Sequence, residues 1–482
     1  MFIGRERELD ELNSFWGRDH GVLMTCRGRR RIGKSTLIDE FASRSARNYI
    51  SIVGLAPRKG MTDAKQRAHF CETVAEYAER PVEYAQTWSL AFRQLDGLLG
   101  RPGRTVVLID EISWLGGYDP DFAGYLKTAW DTYLRKHAEL ILILCGSVSS
   151  WIAENILDST GFVGRDSYDL DLKELSLCDS VKLFGPTGER LSSSEKFDLL
   201  SLTGGVPKYL EEVRPELSVD ENFRRLCFLP RSLLFREFDE TFSAVLGDRV
   251  ASRGRILRLL LEKSLTTSEL AAKESKTANG GYAKALRDLR YAGFVEEESG
   301  ISPLTGKACK EVRYRVKDNY ARFYLKTIEP RASAIKTGLF EFASLEQLNG
   351  WDTILGLQFQ NLILNRVNDL FPHLGLERSL VLSAAPYVQN ETLRNKGCQI
   401  DLLIQTARTL LVVEIKRQRQ IKHGIIDEVA EKVRRLRFDP RLSVRTALVY
   451  EGELAQSVPA DRYFDFIVPA EKLLKDPRGS VV

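Results

Sequence analysis

The chain has 482 residues, and at about 150 residues per domain this length predicts roughly three domains. Hydrophobic residues make up 43% and charged residues 28% of the chain, which excludes a disordered or fibrous protein. The formal net charge is only +4, so any binding of nucleic acid has to depend on local patches. The charged N-terminus and the short apolar runs predict a soluble, cytoplasmic protein without a signal peptide or membrane segment.

The cysteines and histidines carry no pattern of a metal site. Seven cysteines are scattered along the chain without a CxxC pair, which predicts free thiols in a reducing compartment. The five histidines stand far apart, so a histidine-rich zinc site has no support in the sequence.

The first 170 residues alternate short apolar strands with amphipathic helical stretches. Such alternation predicts a parallel β-sheet with helices on both faces. The predicted strands are Val22–Cys26, Tyr49–Val53, Thr105–Ile109 and Leu140–Cys145. From Lys173 to about Arg236 the pattern becomes mostly helical, as expected of a lid on that sheet.

Three helices and a hairpin follow, which together predict a winged helix-turn-helix. These elements are the helices Arg255–Lys263, Thr266–Lys273 and Tyr282–Tyr291 and the strands Phe294–Glu297 and Glu311–Val316. The last unit is predicted to be α/β. Its elements are the helices Gly356–Leu370 and Ile426–Phe438 and the strands Gln399–Ile404, Thr409–Lys416 and Thr446–Tyr450. The predicted domains are therefore 1–240, 245–330 and 335–482.

A glycine-rich segment between the first strand and the next helix matches the pattern G-x-x-x-x-G-K-[ST]. It reads Gly28-Arg29-Arg30-Arg31-Ile32-Gly33-Lys34-Ser35, in the strand–loop–helix context of a P-loop. The glycines let backbone N–H groups and the helix N-terminus face phosphate oxygens. Lys34 is predicted to reach the β and γ phosphates of ATP, and Ser35 to ligate Mg²⁺. The predicted nucleotide-binding residues here are Gly28, Ile32, Gly33, Lys34, Ser35 and Thr36.

Two acidic residues follow the third apolar strand. In a doubly wound sheet, Asp110 and Glu111 would lie beside the phosphate loop. Asp110 is predicted to hold Mg²⁺ through water, and Glu111 to polarise the attacking water as general base. Ser147 follows the fourth strand, where its hydroxyl either senses the γ-phosphate or is a plain strand-end group.

In combination these motifs resemble the archaeal-type P-loop ATPase family, which is related to AAA+ signalling NTPases and origin-initiator ATPases. The resemblance covers the first 240 residues. The resemblance rests on four segments: Phe2-Ile3-Gly4-Arg5-Glu6-Arg7-Glu8-Leu9, the P-loop, Ile109-Asp110-Glu111 and Gly204-Gly205-Val206-Pro207. The resemblance implies that Phe2, Ile3 and Arg5 flank the adenine and that Pro207 closes over it from the lid.

The same resemblance implies an arginine finger. Val163-Gly164-Arg165 stands where the family often carries Tyr-Gly-Arg. Arg165 would then stabilise the transferred phosphoryl group in a neighbouring subunit of a homo-oligomer. A salt bridge on the surface or to the lid is the alternative role for this residue.

Three charged residues near the C-terminus form a second constellation. If Ala407-Arg408 centres a turn, Asp401 pairs with Glu414 across two strands at about 5 Å. Glu414 and Lys416 share one face of their strand. Two carboxylates can bind Mg²⁺, and a lysine can activate water or steady the scissile phosphate. This is the D…E-x-K arrangement of the PD-(D/E)xK nuclease fold, which often follows the winged helix in the ATPase family.

One departure from that nuclease fold leaves cleavage open. Many of its members place an acid on the first helix, whereas this chain has Gln358-Phe359-Gln360 there. The metal site is then one charge poorer. The alternative reading of Asp401, Glu414 and Lys416 is three charges on an exposed strand face.

Basic residues predict contact with DNA at low sequence specificity. A local patch beside the E-x-K strand consists of Lys416, Arg417, Arg419, Lys422, Lys432, Arg434, Arg435, Arg437 and Arg441. Glu428 and Glu431 interrupt this patch, and a solvated helix face is its alternative interpretation. The candidate recognition helix of the winged unit carries Lys276, Lys284, Arg287 and Arg290, with Asp288 among them. Domain packing is the alternative role of that unit.

The sequence as a whole predicts an ATP-hydrolysing, DNA-associated protein. An AAA+-like P-loop domain with a helical lid would be coupled to a winged helix and to a Mg²⁺-dependent nuclease-like domain. One alternative is a regulatory or signalling ATPase whose last domain binds nucleic acid or protein without cleavage. A further alternative is a protein-interaction module of a mobile-element or stress system in which DNA has no part.

Overall fold

The computed structural model describes residues 2–147, 149–246, 250–274, 280–309, 311–342, 344–393 and 395–476. The chain divides into two compact units. The first unit is Met1–Lys173 with Tyr291–Gly293, and the second is Glu174–Arg290 with Phe294–Val482. The inner boundaries near residues 240 and 335 fall within the second unit, so the division into three domains stays a prediction. No helix within the described ranges is long and apolar enough to cross a membrane.

The first unit is an α/β layer structure. Its strands are β1 (Val22–Arg27), β2 (Asn48–Val53), β3 (Thr105–Asp110), β4 (Leu140–Gly146) and β5 (Asp166–Asp171). Its helices are α1 (Glu6–Asn13), α2 (Lys34–Ser45), α3 (Asp63–Ala78), α4 (Trp88–Asp96), α5 (Ile112–Gly116), α6 (Phe122–Thr132) and α7 (Ser149–Ile152). The strands form one parallel sheet in the order β2-β3-β4-β1-β5.

Both faces of this sheet are covered, as the alternation of strands and helices predicts. On β3, Val106 and Leu108 pack into a core with α1 and α2. Val107 and Ile109 point the other way and pack with α3, α4 and α6. Because successive side chains of a strand face opposite sides, one apolar run serves both cores. The parallel sheet then brings the C-terminal ends of β1, β3 and β4 to one edge.

The second unit begins with helices and then forms a small antiparallel sheet. The helices are α8 (Leu177–Lys182), α9 (Ser193–Thr203), α10 (Pro207–Leu210), α11 (Val219–Cys227), α12 (Leu233–Leu246), α13 (Val250–Leu259), α14 (Thr267–Lys273) and α15 (Gly280–Tyr291). The strands are β6 (Leu265–Thr266), β7 (Val295–Glu298) and β8 (Arg313–Val316). They pair in the order β6-β8-β7, so three helices and a three-stranded antiparallel sheet follow the lid.

The rest of the second unit is built on a separate mixed sheet. Its helices are α16 (Asn319–Phe323), α17 (Ala332–Lys336), α18 (Trp351–Leu364), α19 (Val367–Leu370), α20 (Gly424–Arg435) and α21 (Ser457–Asp461). Its strands are β9 (Ser383–Gln389), β10 (Cys398–Gln405), β11 (Thr409–Ile421), β12 (Ser443–Leu454) and β13 (Phe466–Pro469). The order is β13-β12-β11-β10-β9, antiparallel from β9 to β11 and parallel from β11 to β13.

A buried polar network fixes α18 against α9, a helix of the predicted lid. The Gln358 side chain donates to the Ser201 carbonyl at 2.8 Å and to the Asn319 carbonyl at 2.7 Å. Asn319 donates in turn to the same Ser201 carbonyl, and Asn361 donates to the Asn319 side chain. Buried amides are stable only when hydrogen-bonded, so this network specifies how α18 packs.

The sequence analysis missed four strands, β5, β6, β9 and β13. All four lie at the edges of their sheets. An edge strand has only one hydrogen-bonded neighbour and needs less apolar surface, so its sequence pattern is weak. Every residue of β9 is half-buried, for example.

Several predicted helix boundaries were wrong. The predicted helix Gly356–Leu370 is instead two helices, α18 and α19. Helix α18 begins after Gly350, which has a positive φ of 74°. It ends before Asn365, whose side chain donates to the Lys317 carbonyl. The first helix of the winged unit is α13 rather than Arg255–Lys263. The basic helix ends at Arg435, where the Gln389 side chain donates to the Arg435 carbonyl and accepts a hydrogen bond from the Arg437 N–H.

Candidate functional site

The predicted P-loop joins β1 to α2 in the first unit. Gly28 and Gly33 have positive φ values of 143° and 86°, a backbone region that favours glycine. A Cβ on Gly28 would lie 2.5 Å from the Leu172 carbonyl oxygen, so a side chain is excluded there. The buried Lys34 ammonium donates to the Gly28 carbonyl at 3.1 Å and the Arg29 carbonyl at 3.2 Å. The lysine therefore lies across the loop.

Ser35 and Asp110 meet at the C-terminal edge of the sheet. The Ser35 hydroxyl donates to Asp110 Oδ2 at 2.5 Å, while Asp110 Oδ1 accepts the Glu111 N–H at 2.8 Å. A hydroxyl and a carboxylate oxygen are the donor types that Mg²⁺ prefers. These residues, 75 positions apart in the chain, therefore fit a shared magnesium ion.

Glu111 is oriented by Ser147, the residue after β4. The Ser147 hydroxyl lies 2.7 Å from Glu111 Oε1 and 2.9 Å from Oε2. The Ser147 N–H donates to Oε2 at 3.3 Å. The sequence left open whether Ser147 senses phosphate or is a plain strand-end residue. The structure gives it a partner that neither alternative named, the predicted general base.

Arg5 ties the N-terminal segment to the P-loop. Its guanidinium donates to the Lys173 carbonyl at 2.6 Å, the Ile32 carbonyl at 3.4 Å and Glu8 at 3.0 Å. Phe2 and Ile3 are half-buried, and Ile32 is in the core below the loop. Thr36, on α2, is exposed. Contacts of Phe2, Ile3 and Arg5 with adenine stay predictions.

Arg165 forms a salt bridge within its own chain. Its Nε donates to Asp131 at 2.6 Å, and Lys127 lies 3.2 Å from the same carboxylate. The hydrogen bond from Arg165 lowers the pKa of Asp131 below its ordinary value. The arginine side chain stays 28% exposed, and its role as a finger stays a prediction. Pro207 is the first residue of α10 in the second unit, and its role at adenine also stays a prediction.

The D…E-x-K residues lie on β10 and β11 in the register that the turn predicts. Leu402 pairs with Val413, so Asp401 and Glu414 occupy the next positions along the two strands. Asp401 Oδ2 accepts the Ile415 N–H at 3.0 Å. The alternative of three charges on an exposed strand face is wrong for Glu414, whose side chain is 1% exposed.

Two lysines hold the Glu414 carboxylate. Lys416 Nζ lies 3.2 Å from Oε1, and Lys432 Nζ donates to Oε2 at 2.6 Å. Burial and the neighbouring Asp401 raise the pKa of Glu414 to about 7. Lys432 comes from α20, and the sequence suggested it only as part of a basic patch. No local sequence pattern predicts that Lys432 contacts Glu414, because this contact depends on how α20 packs on β11.

These side chains line a cavity of about 1040 Å³ in the second unit. Gln360 of α18 is among the lining residues, whereas Gln358 is buried in the polar network. Gln360 thus stands on the helix where an acid is expected. In the part of the chain that the structure describes, no three His, Cys, Asp or Glu side chains are placed to hold a metal ion. Asp401 and Glu414 therefore fit a metal only as a two-carboxylate site.

Most side chains of the predicted local basic patch form ion pairs, so the patch offers less free positive charge than its residue types suggest. Seven of its nine side chains pair with acids. These pairs are Lys416–Glu428, Arg417–Asp198, Arg419–Glu346, Lys432–Glu414, Arg434–Glu431, Arg435–Glu431 and Arg441–Asp439. Arg417 is also buried, with its side chain 9% exposed, and it pairs with both Asp198 of α9 and Glu451 of β12.

The candidate recognition helix α15 keeps two exposed cations. Lys284 and Arg287 are exposed, whereas Asp288 is buried and pairs with Arg253 at 2.7 Å. Arg290 pairs with Glu297 at 2.9 Å. Lys276 lies outside the described residues. Asp288 thus belongs to the packed face of the helix and does not interrupt the pair Lys284 and Arg287.

Comparison with known proteins shows what the chain is similar to. Over 384 residues, 77% of this chain and 79% of the relative, it is 27% identical to an uncharacterised protein of Methanocaldococcus jannaschii. It is similar to the Walker-type ATPase of Pyrococcus abyssi, with 18% identity, 67% and 96% of the two chains covered and a TM-score of 0.48. For the ORC2 protein of Aeropyrum pernix in its ADPNP–ADP complexes, the identity is 13%, the coverage 70% and 94% and the TM-score 0.41. Residues 2–213 match the model of an ATPase domain found predominantly in Archaea, so this part of the chain is similar to that ATPase family.

Proposed function

We propose that this protein binds ATP with Mg²⁺ and hydrolyses it, and that the ATPase is coupled to a nuclease-like C-terminal domain acting on DNA. The observation that carries the first part is the contact of 2.5 Å between the Ser35 hydroxyl and Asp110, with Glu111 next to it. The matched ATPase family supports the same activity.

Each P-loop residue has a definite part in this proposal. Backbone N–H groups of the loop that starts at Gly28 and ends at Gly33 bind phosphate oxygens, assisted by the N-terminus of α2. Lys34 leaves its carbonyl partners to bind the β and γ phosphates. Ser35 and Asp110 hold Mg²⁺, which supplies positive charge to the phosphate oxygens.

Glu111 acts as the general base on the attacking water. Its position at the end of β3 and the hydrogen bond from Ser147 support this role, since a base must be held in one orientation to accept a proton. Arg165 completes the site of a neighbouring subunit once it leaves Asp131, so hydrolysis depends on a homo-oligomer.

The C-terminal domain of this proposal is a PD-(D/E)xK-like nuclease unit that needs Mg²⁺. Helix α18, the antiparallel strands β9 to β11, helix α20 and the parallel strand β12 support that fold assignment. Asp401 and Glu414 would bind the metal. Lys416 would steady the scissile phosphate or the attacking water.

One feature supports binding of DNA, and a second supports coupling of the C-terminal site to the ATPase lid. Helices α13 to α15 and the sheet β6-β8-β7 are the set of elements expected of a winged helix. Lys284 and Arg287 are exposed on α15. In addition, Arg417 of β11 donates to Asp198 of the lid helix α9 at 2.6 Å. This buried pair connects the strand of the nuclease-like site to the ATPase lid.

The neutralised basic patch and Gln360 favour a second candidate function. In that case the protein is a regulatory ATPase whose last domain binds nucleic acid or protein without cleaving it. Most cations of the patch are paired with acids, and only two carboxylates are placed to bind a metal ion. Both features weaken the binding and cleavage of a polyanion such as DNA.

One set of assays separates these functions. ATP hydrolysis is measured on the purified chain and on Lys34→Ala, and we expect hydrolysis by the first only. Plasmid DNA is then incubated with Mg²⁺ or Mn²⁺ and ATP, with Asp401→Ala as the matched control. Cleavage that is absent from the control supports the nuclease. Equal degradation by both proteins, or none by either, leaves the regulatory ATPase.

A further inference from the structure

Both oxygens of the Glu414 carboxylate are already occupied by ammonium groups. Lys416, two residues along the same strand, lies 3.2 Å from Oε1. Lys432 reaches Oε2 from helix α20 at 2.6 Å, the shorter of the two contacts. Any cation that binds Glu414 therefore has to compete with a lysine for the same oxygen.

Both lysines also contact Glu428, at 2.9 Å from Lys416 Nζ and 3.4 Å from Lys432 Nζ, so a lysine displaced from Glu414 keeps a carboxylate partner. Lys432 makes the shorter contact with Glu414, at 2.6 Å against 3.2 Å for Lys416, and is therefore the stronger competitor for a metal ion. Glu428 is 44% exposed, so the charge would move toward solvent and not into the core.

The charge of the cavity also favours cation binding. Seven acidic and four basic side chains are among its lining residues. The acids are Asp198, Glu346, Asp352, Asp401, Glu414, Glu428 and Glu451, and the bases are Lys416, Arg417, Arg419 and Lys432. A surplus of carboxylates repels DNA phosphates until further positive charge enters. Divalent cations are a source of such charge.

We propose that Lys432 is an internal counter-ion of Glu414 that a divalent metal ion must displace, so that this lysine sets how readily the C-terminal site takes up metal. The inference rests on the proposed metal-dependent function of that site. Lys432 acts through Glu414 and is thus a positioning residue. It holds the two-carboxylate site closed and neutral until the metal concentration is high enough to replace it.

The test measures metal affinity directly. Mn²⁺ is titrated calorimetrically into the full chain without nucleotide, and the heat of Asp401→Ala is subtracted to isolate the C-terminal site. Lys432→Met removes the competing charge and keeps the side-chain length, so we expect Mn²⁺ to bind at least about tenfold more tightly. Lys472→Met removes an exposed lysine that does not line the cavity and should bind Mn²⁺ like the unaltered chain.

The outcomes separate this inference from the nuclease proposal. Equal or weaker Mn²⁺ binding by Lys432→Met, with the unaltered chain binding Mn²⁺ and cutting DNA, overturns the inference alone. Absence of specific Mn²⁺ binding in both proteins overturns the inference and the metal-dependent function together. If Lys432→Met does not fold, crystals of the unaltered chain soaked in Mn²⁺ decide: the inference requires Lys432 Nζ to move off Glu414, and an unmoved pair beside bound metal contradicts it.

Discussion

The Ser147 hydroxyl is hydrogen-bonded to the Glu111 carboxylate at 2.7 Å. The two residues follow the neighbouring parallel strands β3 and β4 and are 36 positions apart in the chain. The orientation of Glu111, the proposed general base, therefore depends on Ser147, an uncharged residue at the end of β4. Glu111 itself has a positive φ of 47°, so the backbone turns sharply there.

This hydrogen bond predicts a role for Ser147 in turnover. Ser147→Ala removes one donor to a charged acceptor, and we expect kcat for ATP to fall about tenfold while KM changes little. Steady-state hydrolysis assays measure both constants. Ser149 is a poor control because it is only two residues from Ser147. Ser43→Ala, on the exposed side of α2, is the control and should leave kcat unchanged. An unchanged kcat in Ser147→Ala would remove this residue from the mechanism.

Glu111→Gln tests the general base itself. The amide is the same size but cannot accept a proton, so we expect turnover to drop by about 10²-fold or more. Binding of ATP should persist, because Lys34, Ser35 and Asp110 are untouched. A fluorescent ATP analogue measures binding and phosphate release measures turnover. Normal hydrolysis by this variant would show that Glu111 is not the base.

Arg165 is tested by mixing two inactive variants. Lys34→Ala has a defective P-loop but an intact Arg165, whereas Arg165→Ala has an intact P-loop. If Arg165 acts on a neighbouring subunit, each variant alone should lose about 10³-fold in turnover and the mixture should recover part of it. Asp131→Ala, which frees Arg165 from its salt bridge, should not lose activity. Failure of the mixture to recover would leave Arg165 as a structural ion pair with Asp131.

Gln360→Glu should strengthen the C-terminal metal site. The added carboxylate enters the cavity that Asp401 and Glu414 line, and we expect Mn²⁺ affinity to rise about tenfold. Calorimetry with Mn²⁺ measures the change. Gln358→Glu is the contrasting variant, because it places a charge in the buried network and should instead lower the free energy of unfolding. Unchanged affinity in Gln360→Glu would mean that α18 does not contribute to the metal site.

The pair Asp198 and Arg417 predicts a pH dependence of stability. Burial raises the pKa of Asp198 above its ordinary value although Arg417 lies beside it. The folded chain then holds this proton more tightly than the unfolded chain does. The stabilisation is full below the ordinary pKa of 3.8 and is lost as the pH rises through the raised pKa.

Asp198→Asn removes this titration and serves as the reference. We expect the free energy of unfolding of the unaltered chain, relative to Asp198→Asn, to fall as the pH increases from acidic to neutral. Urea unfolding followed by tryptophan fluorescence measures the difference at each pH. A difference that stays constant, or that grows with pH, contradicts the raised pKa.

The P-loop, the acids after β3 and the register of β10 and β11 could be predicted because each depends on local rules. Glycine is required at Gly28 by its backbone angle, and apolar strands are recognised from a few neighbouring residues. The pairing of Leu402 with Val413 follows from the turn alone, because an antiparallel register is fixed once the turn is placed. The roles assigned to these residues, in contrast, stay predictions.

The tertiary structure alone decided which charges are free. Arg417 counts as a cation in the sequence but is buried against Asp198, 219 positions away, and Lys432 is bound to Glu414 from another helix. Electrostatic pairing depends on distance in space, and the fold sets that distance over long separations in the chain. The sequence therefore determined the residue types of both candidate sites, whereas folding determined their partners and how much of their charge remains available.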